Sequence, residues 1–178
     1  MKVYWAKGFA ATSTDDLLHA MEIGRQSLYN AFGDKRRLYL EALDVYTRRT
    51  TAAHLERLNR PASPLKGISD LLCKLVVKDD KLRALGCMGV SSVGEFGTSD
   101  HELAAMRNKV GPILSARLVE RLREGQAMGE IVAGIDPNEA AAFIQLTMAG
   151  LQLAARGGAK VRDLRRIARF IIDRLRAR

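Results

Sequence analysis

Five neighbouring side chains carry the clearest chemistry in this sequence. Arg25, Gln26, Ser27, Tyr29 and Asn30 supply a guanidinium, two carboxamides, a hydroxyl and a phenol, and no carboxylate stands among them. Guanidinium and amide groups pair with the edges of bases, while hydroxyls and cations hold phosphate oxygens. The set therefore suits a polyanion that also displays base edges. Residue types alone leave a second reading open, a small amphipathic hairpin whose polar side simply faces water.

The segment Thr12–Lys35 must position these groups. It reads as two short helices joined by a tight turn, followed at once by the start of a third. Ser13 and Asp16 have capping-box spacing, which satisfies the orphan amides that open a helix. Leu17, Leu18 and Met21 give that helix one apolar stripe. Glu22, Ile23 and Gly24 make the turn, with Gly24 expected to take backbone angles that other residues avoid. The second helix is expected over Arg25–Phe32. Leu28 and Phe32, four apart, then face inward with Ile23 and leave the five polar residues outside.

Gly8-Phe9, Ala11-Thr12-Ser13, Ile23 in the turn, Leu28-Tyr29, Phe32 and Lys35 stand in an order and spacing that resembles the DNA-binding domain of TetR-type (tetracycline-repressor-like) transcriptional regulators. The resemblance implies an all-α fold, with a helix-turn-helix DNA-binding domain over residues 1–45 and a helical ligand-binding and dimerisation domain over 46–178. It implies that Arg25–Phe32 is the recognition helix. Arg25, Gln26 and Asn30 would then meet base edges, and Thr12, Ser27, Tyr29 and Lys35 would hold phosphates; Arg36 and Arg37 either join them or stay solvated. The implied function is a ligand-responsive regulator of transcription, most often a repressor. It would bind a palindromic operator in double-stranded DNA as a homodimer built from the last two helices, and would answer to an unknown small-molecule effector. Such domains carry a longer first helix than the one expected here over residues 2–7, so the first helix reads as truncated.

Bulk properties narrow the classes further. The 178 residues suffice to bury roughly 70% of the unfolded surface. Hydrophobic residues make up 47% but aromatic ones only 6%, so aliphatic side chains do most of the packing. Four prolines and the lack of strand-like alternation point to helices throughout. No apolar run approaches the ~18 residues of a membrane span, and MKVYWAKG is too short and polar for a signal peptide. Cys73 and Cys87 make no disulfide framework, so a cytoplasmic location is expected.

A net charge of +9 suits a polyanionic partner. Its distribution is less pointed. Residues 1–60 hold ten basic and seven acidic residues, whereas residues 156–178 hold nine basic and two acidic. The basic last helix is a solvated face, a second polyanion contact, or the match to an acidic patch elsewhere. No phosphate-binding glycine loop, metal cluster or nucleophile motif is present, and His19, His54 and His101 lie far apart. No catalytic residue, metal ligand or cofactor is therefore assigned, and an enzyme is not expected. The rival classes are a helical small-molecule-binding protein and a protein-interaction module, neither of them binding DNA.

The remaining chain divides at caps and breakers. A helix over residues 2–7, with Val3, Tyr4 and Trp5, ends at Gly8. Asp34 caps one long helix from Lys35 to Leu58, with Leu38, Ala42, Val45 and Leu55 on its buried face. Ser63 with Pro64 starts a helix to about Lys78, followed by a charged loop to Arg83. Cys87, Val90, Val93 and Phe96 recur at threes in a short buried helix. Asp100 caps a helix to Met128 in which Pro112 should cause a kink or a split. Asp136 and Pro137 open a nearly all-apolar helix to Arg156. The last helix, Val161–Arg176, buries Leu164, Ile167, Ala168, Ile171 and Leu175.

An effector pocket is expected among apolar or soft residues of the mid-chain helices: Leu72, Cys87, Val90, Phe96, Met106, Val110, Phe143, Met148 and Leu151. The Gly86-Cys87 pair also resembles a TetR-type subgroup, some of whose members sense electrophiles or oxidants through that cysteine. An inert buried thiol is the other reading of Cys87.

Overall fold

The computed structural model describes residues 1–177; Arg178, the end of the expected regulatory domain, lies outside them. Helices α1 (Lys2–Lys7), α2 (Thr14–Met21) and α3 (Arg25–Phe32) lead into the long α4 (Lys35–Asn59). Then come α5 (Pro64–Leu75), α6 (Asp80–Ala84), α7 (Met88–Phe96), α8 (His101–Ala127), α9 (Pro137–Arg156) and α10 (Val161–Leu175). Outside the helices an isolated antiparallel bridge joins Ile131 to Arg176. Among the described residues, no helix is long and apolar enough to cross a membrane.

Local chemistry explains most of these boundaries. The side chains of Asp34, Ser63, Asp100 and Asp136 each accept a backbone N–H in the first turn of their helix, and Pro64 and Pro137 occupy first-turn positions that need no donor. Asp79 does the same for α6, accepting from the Leu82 amide at 2.7 Å. The charged stretch expected to be a loop is therefore a short helix. Arg83 fastens it by donating to the carbonyls of Val77 and Lys78.

Pro112 does not split α8, which is continuous from His101 to Ala127. Both Pro112 and Asn108, whose carbonyl the proline leaves without its usual amide, face solvent, so water can replace the lost donor. Four other expectations change with burial: Met21, Val45, Val93 and Ile167 sit on exposed faces. In α4 their place is taken by Tyr39 and Tyr46, both buried.

Two apolar clusters hold the chain together. The larger joins Leu58, Ile68, Leu71, Leu72, Leu118, Leu122, Ile144 and Ala168 from α4, α5, α8, α9 and α10. The smaller joins Tyr4, Leu17, Leu28, Tyr39 and Leu43 with Met88 of α7 and Leu103 of α8. The N-terminal three-helix unit therefore shares its core with two helices of the C-terminal part. Tyr39 is the hub of that cluster, with ring centroids 5.0 Å from Tyr4, 5.2 Å from Phe9 and 5.7 Å from Phe96.

Candidate nucleic-acid interface

The helix pair α2–α3 is built from short-range contacts. The Ser13 hydroxyl accepts from the Asp16 amide at 3.0 Å, and the Asp16 carboxylate accepts from the Ser13 amide at 2.9 Å. Lys7 Nζ lies 2.6 Å from the same carboxylate. Lys7 first, then Ser13, hold the Asp16 carboxyl down at about 2. The turn closes with the Glu22 and Ile23 amides donating to the carbonyls of His19 and Leu18. Its left-handed residue is Glu22, at φ 56 and ψ 40, not Gly24, which is extended at φ −77 and caps α3.

Leu28 is the fully buried residue of α3, at 0% exposure, and anchors it to the small core. That burial is worth ~1.5–3 kcal/mol. Phe32 and Ile23 pack beside it. Arg25, Gln26, Ser27, Tyr29 and Asn30 are all exposed on the opposite side. Two of the five hold each other: Gln26 Nε2 donates to Asn30 Oδ1 at 2.9 Å, one helical turn on. Arg25 Nη2 lies 2.8 Å from Asp15 Oδ1 of α2. The outward face of α3 carries no carboxylate of its own, but a neighbouring helix lends it one. Such an exposed pair is worth ~0.2–1 kcal/mol and is readily exchanged for another anion.

Two residues expected to hold phosphates bond within the protein in the absence of DNA. Thr12 is 1% exposed, and its hydroxyl donates to the Gly8 carbonyl at 2.5 Å. Lys35 Nζ donates to the carbonyls of Phe9 and Thr12 at 2.9 and 2.6 Å and lies 4.3 Å from the centre of the Phe9 ring. Both side chains bond inward, to the carbonyls of Gly8, Phe9 and Thr12 in the α1–α2 turn. Of the two following arginines, Arg36 is committed to Asp100, at 2.7 and 3.3 Å, and to Glu102 at 3.0 Å. Arg36 first, then the Leu103 amide, hold the Asp100 carboxyl below the usual range.

These bonds belong to a set of ties between the N-terminal unit and the rest that sequence spacing does not reveal. The Glu95 carboxylate of α7 accepts from the Phe9 and Ala10 amides. Arg156, at the end of α9, donates to the carbonyls of Trp5, Ala6 and Leu85. Trp5 in turn donates to the Gly86 carbonyl at 3.1 Å. The partners lie up to 151 residues apart.

A cavity of about 340 Å³ opens between α4, α7, α8 and α9. Cys87, Val90, Met106, Val110 and Met148 line it. Four other expected pocket residues are elsewhere. Leu72 and Leu151 are buried in the large core. Phe96 packs against Phe9 and Tyr39. Phe143 faces outward from α9. The polar part of the lining, which includes Thr47, Thr50, His54, Arg107, Gln145 and Gln152, was not among the expected residues. Burial, and then the Arg57 guanidinium, push the His54 imidazole down to about 4, so it is neutral near pH 7.

Known proteins share this arrangement. Residues 1–42 match the profile of the tetR family of bacterial regulatory proteins. The HTH-type transcriptional regulator YezE of Bacillus subtilis (strain 168) is 33% identical over 132 residues, covering 74% of this chain and 68% of that protein. The HTH-type transcriptional repressor ComR of Escherichia coli (strain K12) is 27% identical over 170 residues, covering 94% and 81%. Among solved structures, a cysteine mutant of the TetR family regulator CifR, complexed with 26-bp operator DNA, superimposes with a TM-score of 0.78 at 27% identity, covering 97% of this chain and 91% of that one. The turn between α2 and α3, the solvent-facing polar side of α3 and the helical body behind them are thus those of a transcriptional regulator, and the chain belongs to the tetR family.

Proposed function

We propose that the protein is a ligand-responsive repressor that binds a palindromic operator as a homodimer. One observation carries the reading: α3 buries Leu28 and turns Arg25, Gln26, Ser27, Tyr29 and Asn30 together toward solvent. Arg25, Gln26 and Asn30 meet base edges in the major groove, and Ser27 and Tyr29 hold the flanking phosphates. Thr12 and Lys35 support the turn from behind. Residues 1–45 act as the DNA-reading unit and residues 46–178 as the regulatory and dimerisation unit. The CifR complex with operator DNA supports a duplex partner.

Self-association supplies the second recognition helix. The outer side of α9 and α10 exposes Phe143, Leu146, Leu153, Ile167 and Phe170, with Leu146 at 73%. A patch of this kind on two adjacent helices suits a copy of itself. Two-fold symmetry then requires half-sites roughly 34 Å apart, or a multiple of that spacing. An effector in the cavity between α4, α7, α8 and α9 alters the separation of the two α3 helices, and so the affinity for that spacing. The cytoplasm is the matching compartment.

Fluorescence anisotropy on duplexes from the gene's own upstream region tests the reading. Specific binding should exceed binding to random duplex by roughly a thousandfold or more and should weaken steeply with salt. Equal affinity for both duplexes would overturn it. Leu146→Glu should give a monomer by sedimentation at micromolar concentration and lose operator binding with it.

A further inference from the structure

The cavity behind the DNA-reading unit carries an unbalanced charge. Its walls are largely apolar, with Leu43, Val90, Met106, Val110, Leu114 and Met148 supplying much of the surface, and none of its lining residues is acidic. Arg107 is the full positive charge among them. One arm of its guanidinium is anchored, Nη2 donating to the Gly97 carbonyl at 2.7 Å. The other arm is not: Nη1 is buried and has no hydrogen-bond partner among the described residues. His54 lines the same cavity from α4, and its Nδ1 is also buried and unpartnered.

Buried donors without partners are rare in folded proteins because each forfeits its hydration. A cation in the wall of an apolar chamber gains strongly from an anionic oxygen that comes within reach with an apolar body behind it. A single guanidinium balances one negative charge. A phosphate dianion would call for a second cation, and Arg107 is the one guanidinium or ammonium among the described residues of this wall. Neutral His54 offers one N–H or one lone pair to a second polar group.

Building on the reading of this cavity as the effector site, we propose that the effector is an amphipathic monocarboxylic acid. It binds as its anion, with the carboxylate on Arg107 Nη1 and its hydrocarbon part against Val90, Met106, Val110 and Met148. The dissection is electrostatic: the same hydrocarbon body without charge leaves Nη1 unpaired and loses most of the affinity.

Isothermal titration of the full dimer with octanoate, octanamide and cyclohexanecarboxylate tests this. The two acids should saturate, and octanoate should bind roughly tenfold or more tightly than its amide. Arg107→Gln should abolish that preference. Arg107→Lys should keep part of it, and far-ultraviolet circular dichroism should show both variants folded. Equal binding of octanoate and octanamide, a preference that survives Arg107→Gln, or no saturation of either acid below ~10 mM would each overturn the proposal. Octanoate should also lower operator affinity, and binding that leaves it unchanged would overturn the effector role. Operator binding by the unliganded protein is measured separately, so failure of the regulator reading is told apart from failure of this one.

Discussion

The Glu95 carboxylate accepts hydrogen bonds from the backbone amides of Phe9 and Ala10, at 3.0 and 2.6 Å. Glu95 stands near the C-terminal end of α7, whose N-terminal residues Gly89, Val90, Ser92 and Val93 line the cavity. The nine residues of α7, roughly 13 Å of helix, thus link the cavity wall to the turn that precedes α2. Phe96 adds an apolar contact at the same end, 5.6 Å from the Phe9 ring.

Loss of that carboxylate should free the turn before it harms the fold. Glu95→Ala is expected to cost about 1 kcal/mol, since the bonds are solvent-exposed. Amide hydrogen exchange at Phe9 and Ala10 should speed up while exchange at Leu28 stays slow. Unchanged protection at both amides would show that the two bonds do not hold the turn.

The proposed division of the outward face of α3 into base and phosphate contacts is one that mutants separate. Arg25→Ala should lower specific binding by ~1–3 kcal/mol and relax base preference at one operator position. Tyr29→Phe should weaken specific and random duplexes alike. Neither should lower stability by more than ~1 kcal/mol, because both side chains are exposed. Identical losses on both duplexes for both variants would refute the division.

Lys35 behaves differently, because its ammonium is spent inside the protein. Two charged hydrogen bonds and the contact with the Phe9 ring are expected to be worth about 2 kcal/mol together. Lys35→Ala should therefore lower the urea midpoint clearly, and DNA binding should fall as a consequence of the loosened turn. Full stability with lost DNA binding would instead restore Lys35 as a direct phosphate ligand.

His54 makes stability depend on pH in a defined window. Its folded pKa of about 4 lies below the ~6.5 of an unfolded histidine. Between those values the unfolded chain takes up a proton that the folded protein refuses, so stability falls as pH drops from about 6.5 toward 4. The neighbouring Arg57 adds to the effect. The loss should reach on the order of 2 kcal/mol, and His54→Gln should remove it. Urea midpoints at several pH values check this; parallel slopes for both proteins would count against it.

The legible parts of this molecule are those with short-range causes. Ser13 with Asp16, Asp34, Ser63 with Pro64, and Asp136 with Pro137 name their helices because each partner is within a few residues. Leu28 inside and Arg25, Gln26 and Asn30 outside follow from helical period alone. For Thr12 and Lys35, residue type suggests a phosphate contact but does not reveal the bonds both make to carbonyls of the α1–α2 turn. Nothing local marks Glu95 or Arg36, whose partners lie 64 or more residues away. Ile167 looked like a core residue because period cannot tell a buried stripe from one reserved for a second subunit.

The pairing of Arg25 with Asp15 has a consequence for selectivity. In the unbound protein this guanidinium already has an anion in residence. A visiting polyelectrolyte must evict that resident, a handicap of several-fold at most for an exposed pair. Stray phosphates offering a single weak contact gain little by the exchange. With Arg25 reading a base edge as proposed, a duplex that presents a guanine would gain much more, and the lent carboxylate would work as a small filter against casual encounters.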